Sequence, residues 1–346
     1  MITRTLITAV LLCSTALITN AQSNVRPAPR LVRVPEMGVK LLAPSNPWAT
    51  RWVESKTDPF ASEYSALVAL PPLTERHSFT HLELDSSAHP AAALEGGSGD
   101  VSILRAGWVA TLGERIDDES IFAVTIEAEA SFYDFGKAGQ LKAGSPDPIN
   151  DVYETRIGLL VMQDPHKSAS WFTSAEVALS GEDDADLGDA LTLGLTGGVR
   201  HQVSEDLSVS IGLIGRSRLE DSAWLFPYIG FEWRIADRLK LTSNGSRVGA
   251  TIEVSDNVEF GLGAEYAIRQ FRLNKNSSLP GGVIADEEIS ASAILGWSPS
   301  DRVKFDLEFG MTLWREFSSF ADGGRKQAEV ETAVKEFAGV RLSVTL

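Results

Sequence analysis

"LGWSPSDRVKFDLEFGMTLW", residues 295–314, poses the fold question in one line. After the polar break at Ser298, Pro299, Ser300, Asp301 and Arg302, the residues Val303, Phe305, Leu307, Phe309, Met311 and Leu313 share one face of an extended chain. Lys304, Asp306, Glu308, Gly310 and Thr312 share the other. Successive side chains of a strand point to opposite faces, so this strand is apolar on one side and charged on the other. A soluble sandwich uses such strands, and so does a wall between hydrocarbon and water.

The pattern recurs from Ser78 to Leu346. Phe122, Val124, Ile126, Ala128, Ala130 and Phe132 oppose Thr125, Glu127, Glu129 and Ser131. Leu191, Leu193, Leu195, Val199 and Val203 oppose Thr192, Gly194, Thr196, Gly198 and Arg200. Leu225, Pro227, Ile229, Phe231, Trp233 and Ile235 form another apolar phase, and residues 248–254 and 258–268 continue the scheme. A slip of one residue would turn glutamate and arginine to the apolar side, so the register is tightly specified.

The links between these runs favour the wall. One set is brief: VSEDL at 203, IADRL at 235, VSDNV at 254 and SPSDRV at 298. The intervening set is longer and variable, beginning at Asp134, Ser180, Arg272 and Arg315. Short and long links alternate, as they do in an up-and-down transmembrane barrel with tight turns at one end and loops at the other. Ser243-Asn244-Gly245-Ser246 is an exception, a tight hairpin on the long side. Strand starts near 78, 100, 120, 151, 169, 190, 206, 224, 238, 247, 258, 286, 302 and 331 give about fourteen strands. Twelve result if the 78–85 and 238–255 regions are divided otherwise. The expected fold is all-β, a closed antiparallel up-and-down transmembrane β-barrel.

Ahead of the barrel region, residues 1–21 read as a secretory signal peptide. Arg4 precedes the apolar run Leu6 to Leu12, and Thr19-Asn20-Ala21 supplies small residues for cleavage. Its removal takes away Cys13, the only cysteine, and moves the formal charge from −16 to −17. No disulfide is then available. Residues 22–77 carry many of the prolines and little periodicity, and read as an arm or a plug. No stretch after residue 21 approaches the ~20 apolar residues of a spanning helix. The acidic excess argues against nucleic acid as a partner, because phosphate binding needs clustered Lys and Arg.

With this hairpin grammar, residues 78–346 resemble bacterial outer-membrane β-barrel proteins, most closely a group of them classed only as a domain of unknown function. The resemblance implies outer-membrane lipid and the barrel-assembly machinery as partners, and implies no cofactor. The closing strand AVKEFAGVRLSVTL carries Val334, Ala338, Val340, Leu342, Val344 and Leu346 on one phase. Such closing strands commonly end in Phe or Trp, where this chain has Leu346.

The opposite phase supplies candidate lumen residues. Arg105, Glu127, Glu129, Glu154, Arg156 and Glu176 come from the first strands. Arg200, Glu232, Arg234, Glu253, Glu265 and Arg269 follow, then Lys304, Asp306, Glu308 and Arg341. Mixed signs suit either a hydrated bore for small polar solutes or a network of ion pairs filling it. The interior of fourteen strands is wider than side chains easily fill, which favours water. Trp171, Trp224, Trp233, Trp297 and Trp314 fall near strand ends, as interfacial girdles would.

Enzymatic signals are weak. Histidines stand at 77, 81, 89, 166 and 201, with no G-x-S-x-G, H-E-x-x-H or P-loop. His77 and His81 share a phase but bring no third metal ligand. GEDDADLGD, residues 181–189, has alternating carboxylates but no closing glutamate, and reads as a solvated acidic tip rather than a calcium loop. The expected role is a passive pore or structural envelope protein in the bacterial outer membrane, without catalytic residues. A lipid-modifying barrel enzyme and a soluble all-β periplasmic binding protein are the alternatives.

Overall fold

The structure, a computed structural model, describes residues 78–97, 99–116, 120–138, 141, 148–149, 151–163, 168–220, 223–277 and 279–346. The signal-peptide and arm readings, with Cys13, His77 and His166, lie outside the described residues.

Fifteen strand segments follow one another: β1 (Ser78–Ala93), β2 (Asp100–Arg115), β3 (Ser120–Gly136), β4 (Asp151–Gln163), β5 (Ala169–Glu182), β6 (Leu191–Ser204), β7 (Leu207–Arg216) and β8 (Trp224–Ala236). Then come β9 (Leu239–Asn244), β10 (Arg247–Ser255), β11 (Val258–Arg272), β12 (Val283–Ser300), β13 (Val303–Phe320), β14 (Lys326–Glu331) and β15 (Lys335–Thr345). Each pairs antiparallel with its sequence neighbour from β1 to β13, and β13 pairs with both β14 and β15. β1 pairs with β15 from His81 opposite Thr345 to Ala88 opposite Ala338, which closes the ring. β14 and β15 are two parts of one stave, interrupted where Thr332 bridges to Leu94. The ring therefore has fourteen staves, the number expected from the alternation, and its first and last strands pair with each other.

Two-residue turns at 205–206, 237–238, 256–257 and 301–302 all lie at one end of the barrel. The strand ends at Glu182, Arg216 and Arg272 lie at the other, together with the hairpin at 245–246. Gly245 takes φ +89 there, a left-handed conformation that a Cβ disfavours. The long links shrink relative to the sequence reading. β12 starts at Val283 and β13 runs on to Phe320, so residues read as loop at 283–285 and 315–320 are strand.

The outward phase is apolar around the ring: Leu195 is 60% exposed, Leu225 67% and Phe309 56%. The register of β12 against β13 shifts between Ile289 and Ser290, opposite the extra residue Leu313. That bulge exchanges the phases of β13. Below it Asp306 and Thr312 point inward, and above it Arg315 and Phe317 do. Strict alternation through Trp314 and Arg315 would have reversed these positions.

The inward phase is not uniformly polar. One buried apolar cluster near the loop end joins Val101, Ile103, Phe135, Phe271, Ile284 and Phe317 with their neighbours. Phe135 and Phe317 meet edge to face, with ring centroids 5.3 Å apart. A second cluster joins Phe79, Ile121, Leu160, Met162, Phe172 and Tyr228.

Candidate functional site

Between the apolar clusters, charged side chains reach across the bore. Arg105 on β2 places Nη2 2.7 Å from Asp286 Oδ2 on β12, although four steps around the ring separate those strands. Only side chains that project into the interior can meet at that separation. Tyr133 on β3 donates its hydroxyl to the same carboxylate at 2.9 Å. Arg315 Nε lies 3.2 Å from Asp286 Oδ1, and its Nη2 pairs with Glu288. Arg269 on β11 donates to Glu288 Oε1 at 3.3 Å and reaches Glu129 on β3 at 3.5 Å. His89 accepts from Arg105 Nη1 through Nε2 at 3.0 Å and stacks on Phe337.

Asp286 and Glu288 are fully buried, and the guanidinium groups of Arg105, Arg269 and Arg315 nearly so. Each charge is balanced by an opposite one within hydrogen-bonding range, as burial demands. Removing one partner would leave a charge without compensation at a cost of about 3–5 kcal/mol. The network is therefore a crossbar that ties β2 and β3 to β11, β12 and β13 through the middle of the barrel.

A second group extends the crossbar toward the neighbouring strands. Arg156 on β4 donates to Glu127 Oε2 at 3.2 Å, pairs with Glu154, and lies 3.5 Å from Glu176. Arg216 on β7 also pairs with Glu176. Nearer the short turns, Arg200 donates to Ser208 Oγ at 2.8 Å and lies 3.6 Å from Glu232, which Lys240 reaches at 2.7 Å. Lys304 contacts Glu259 at 2.5 Å and Asp306 at 3.3 Å, and Arg341 contacts Glu83 at 3.1 Å.

The residues read from sequence as lumen-facing do not form one site. Arg105, Glu129 and Arg269 join the crossbar, and Glu127, Glu154, Arg156 and Glu176 join its extension. Glu265 sits opposite Arg247, and Glu308 lies opposite Gly339. Arg234 and Glu253 are exposed beside the short turns. Asp286 and Glu288 went unread because they lie where the link from Arg272 was taken to pass into the next strand, Arg315 because it lies in a stretch taken as loop, and Tyr133 because a phenol carries no charge signal. The run Asp286-Glu287-Glu288 was the available hint, since consecutive acids cannot all face hydrocarbon.

Of the tryptophans, Trp171, Trp233 and Trp297 are exposed on the outward phase near the short turns, and Trp314 stands outward opposite Ile289 toward the loop end. Trp297 stacks on Phe305 at 5.6 Å. Trp224 departs from the expectation. It pairs across β7–β8 with Arg216, whose side chain points inward to Glu176, so Trp224 belongs to the interior face rather than to a girdle. Its position at a strand end resembles a girdle position, and only the register separates the two.

His81 Nδ1 lies 3.0 Å from Thr345 Oγ1 across the closing seam, and His201 is exposed on the outer face. Among the described residues, no group of three or more His, Cys, Asp or Glu side chains is arranged to hold a metal. In the acidic tip, Asp186 accepts from Lys275 Nζ at 3.2 Å and from the Gly188 amide at 3.1 Å. The bond from Lys275 holds the Asp186 carboxyl below its usual range.

No protein-family model and no curated protein matches the sequence. Solved structures do match in outline. A FadL homologue from Pseudomonas aeruginosa aligns with 81% of this chain and 93% of its own length, at 10% identity and a TM-score of 0.42. The toluene transporter TodX of P. putida aligns with 82% of this chain and 94% of its own, at 8% identity and a TM-score of 0.41. An outer membrane channel from P. putida F1 aligns over 78% and 95%, at 10% identity and a TM-score of 0.40.

Proposed function

We propose that this protein is an outer-membrane β-barrel channel for small polar solutes whose bore is held shut toward its loop end by the Arg105–Asp286 crossbar. The observation that carries the membrane reading is the apolar outer face. Large apolar side chains stand exposed on strands from β2 through β13, whereas soluble monomers rarely expose patches beyond about 300–600 Å². Hydrocarbon is the solvent that such a surface suits. The charged interior would suit water once the crossbar parts, and export by the N-terminal signal would place the chain in the outer membrane.

The apolar clusters flanking the crossbar favour a second reading, a structural envelope barrel that conducts nothing. Planar-bilayer recordings on the full chain, with and without residues 22–77, separate the two. The gated reading expects a wild-type chain that is silent or nearly so, and stepwise current from an Arg105→Ser/Asp286→Ser double variant, which leaves fewer buried charges unpaired than either single change. Silence from every form would establish the structural role. Steady current from the wild type would make the protein a passive pore with no closed rest state.

A further inference from the structure

The barrel wall is low on one side, and its exposed tryptophans measure by how much. Trp297 on β12 and Trp233 on β8 each stand four residues before a two-residue turn, 51% and 43% exposed on the outward phase, and mark the membrane interface at the short-turn end. On β12, Ile289 lies eight residues above Trp297 and pairs across to the outward Trp314 of β13. At ~3.3 Å per residue and ~40° tilt that is a rise of ~20 Å, close to a hydrocarbon band ~25 Å tall. On the low side, Trp233 pairs across to Leu241 of β9, and the chain turns back at Gly245, four residues higher. The same geometry gives a rise of only ~10 Å. Each path includes one step between strands, so the tip of the β9–β10 hairpin ends ~10 Å beneath Trp314.

That tip is polar. It reads Ser243-Asn244-Gly245-Ser246, without an apolar side chain. Main-chain bonds to both flanking strands fix its height, Gly245 N–H to Ile229 O at 3.2 Å and Tyr266 N–H to Ser246 O at 3.1 Å. The surface beside and above it is polar as well. Tyr266, on the outward phase of β11, donates its hydroxyl to Glu287 Oε2 at 2.9 Å. Glu287 stands opposite Glu316, two residues above Ile289. The 217–220 segment lies against β11 through the Leu219 amide, which donates to Gln270 Oε1 at 3.3 Å, and carries the Arg218–Glu220 ion pair. A polar face thus descends from the level of Glu287 through Tyr266 to the hairpin tip. On β8 the apolar phase runs on to Leu225, 67% exposed, which bounds this sector on the other side.

Hydrocarbon of full thickness would cover the tip and strip its polar groups of water, which is costly. An apolar stretch shorter than the bilayer is met by thinning of the lipid beside it. We infer that the low side is a lipid-thinning surface: over the β9–β10 hairpin the loop-side leaflet dips by ~10 Å, and its headgroups descend with their water to the tip. The partner is therefore the hydrated headgroup layer, which meets less hydrocarbon here than beside β12 and β13. The inference rests on the exterior being lipid-facing, but it does not depend on whether the bore conducts.

Depth-resolved fluorescence quenching tests it. Phe309 lies opposite Ala293, four residues above Trp297, so it stands at the same height as the hairpin tip but on the tall side. Ser246→Cys and Phe309→Cys, each in a Cys13→Ser background of the full chain, are labelled with a nitrobenzoxadiazole dye and folded into phosphatidylcholine vesicles. The vesicles carry spin-labelled lipid with the nitroxide either on the headgroup or at mid-chain. Each labelled variant must first show the heat-shifted gel mobility of the folded barrel, and Ser243→Cys, on the other arm of the hairpin, replaces a label at 246 that prevents folding. The headgroup nitroxide should be the stronger quencher at the hairpin and the mid-chain nitroxide the stronger at 309. Mid-chain quenching dominant at both positions would mean a flat bilayer and overturn the dip, leaving the membrane reading intact. Headgroup quenching dominant at both would instead overturn the placement of the membrane on the wall. A hairpin label that neither lipid quenches, beside a 309 label that the mid-chain lipid does, would show protein covering the low side and overturn lipid as its partner.

Discussion

The two sides of the barrel differ in height, and the difference decides which side supplies the network across the interior. β12 and β13 have 18 residues each, which at ~3.3 Å per residue and ~40° tilt raises them ~45 Å, well beyond the hydrocarbon band. Their upper parts carry Asp286, Glu288, Arg315 and Phe317, which reach across to β2 and β3. β9 and β10, with six and nine residues, carry no part of that network. Surplus strand length on the tall side thus supplies the groups that span the interior, and the low side supplies none of them.

The largest expected effect breaks the tall side. Asp286→Ala should leave Arg105 and Arg315 buried without their shared carboxylate and cost about 3–5 kcal/mol, measured by denaturant unfolding of the protein in lipid vesicles. Unchanged stability would mean that the crossbar is not a structural tie. Next comes the lipid face. Phe309→Lys, midway along β13, should cost about 2–4 kcal/mol in the same assay, whereas Ile235→Lys beside a two-residue turn should cost about 0–1 kcal/mol. Similar losses at both positions would misplace the membrane relative to the wall.

On the low side, Gly245→Ala should destabilise by about 1–2 kcal/mol, because the hairpin requires a left-handed residue at that point. If the cost were nil, the hairpin geometry that ends the low side of the wall would be in doubt. The smallest effect lies outside the membrane. A carboxyl held below its usual range stabilises the folded form at pH above its unfolded value of ~4, and that contribution is lost as pH falls through the depressed folded value. Proteolysis at the Asp186 loop should therefore rise at acid pH in the wild type, and Lys275→Ala should show the same susceptibility already at neutral pH.

Much of this architecture could be read directly from the residues. Period-two alternation placed Lys304, Asp306, Arg105 and Arg269 on the inward phase, and the two-residue turns placed one end of the barrel. Reading failed where alternation changed hands. The extra residue Leu313 moved Arg315 inward, and no local signal announces a bulge whose cause is the register of the facing strand. Trp224 was misplaced for a related reason: a strand end looks alike from either face until its partner Arg216 is known. Side-chain reach was the element missing from the width argument, because arginine and glutamate from opposite walls together span what either alone could not.

By itself, the sequence determined the all-β class, a count of about fourteen staves with twelve left open, and the sorting of side chains between two faces. Those follow from local rules, since a pleat has period two and a tight turn needs few residues. Only the tertiary structure decided which charges meet across the interior and where the wall falls short. Those outcomes depend on distances between strands remote in the chain, and no pattern along a single strand encodes them.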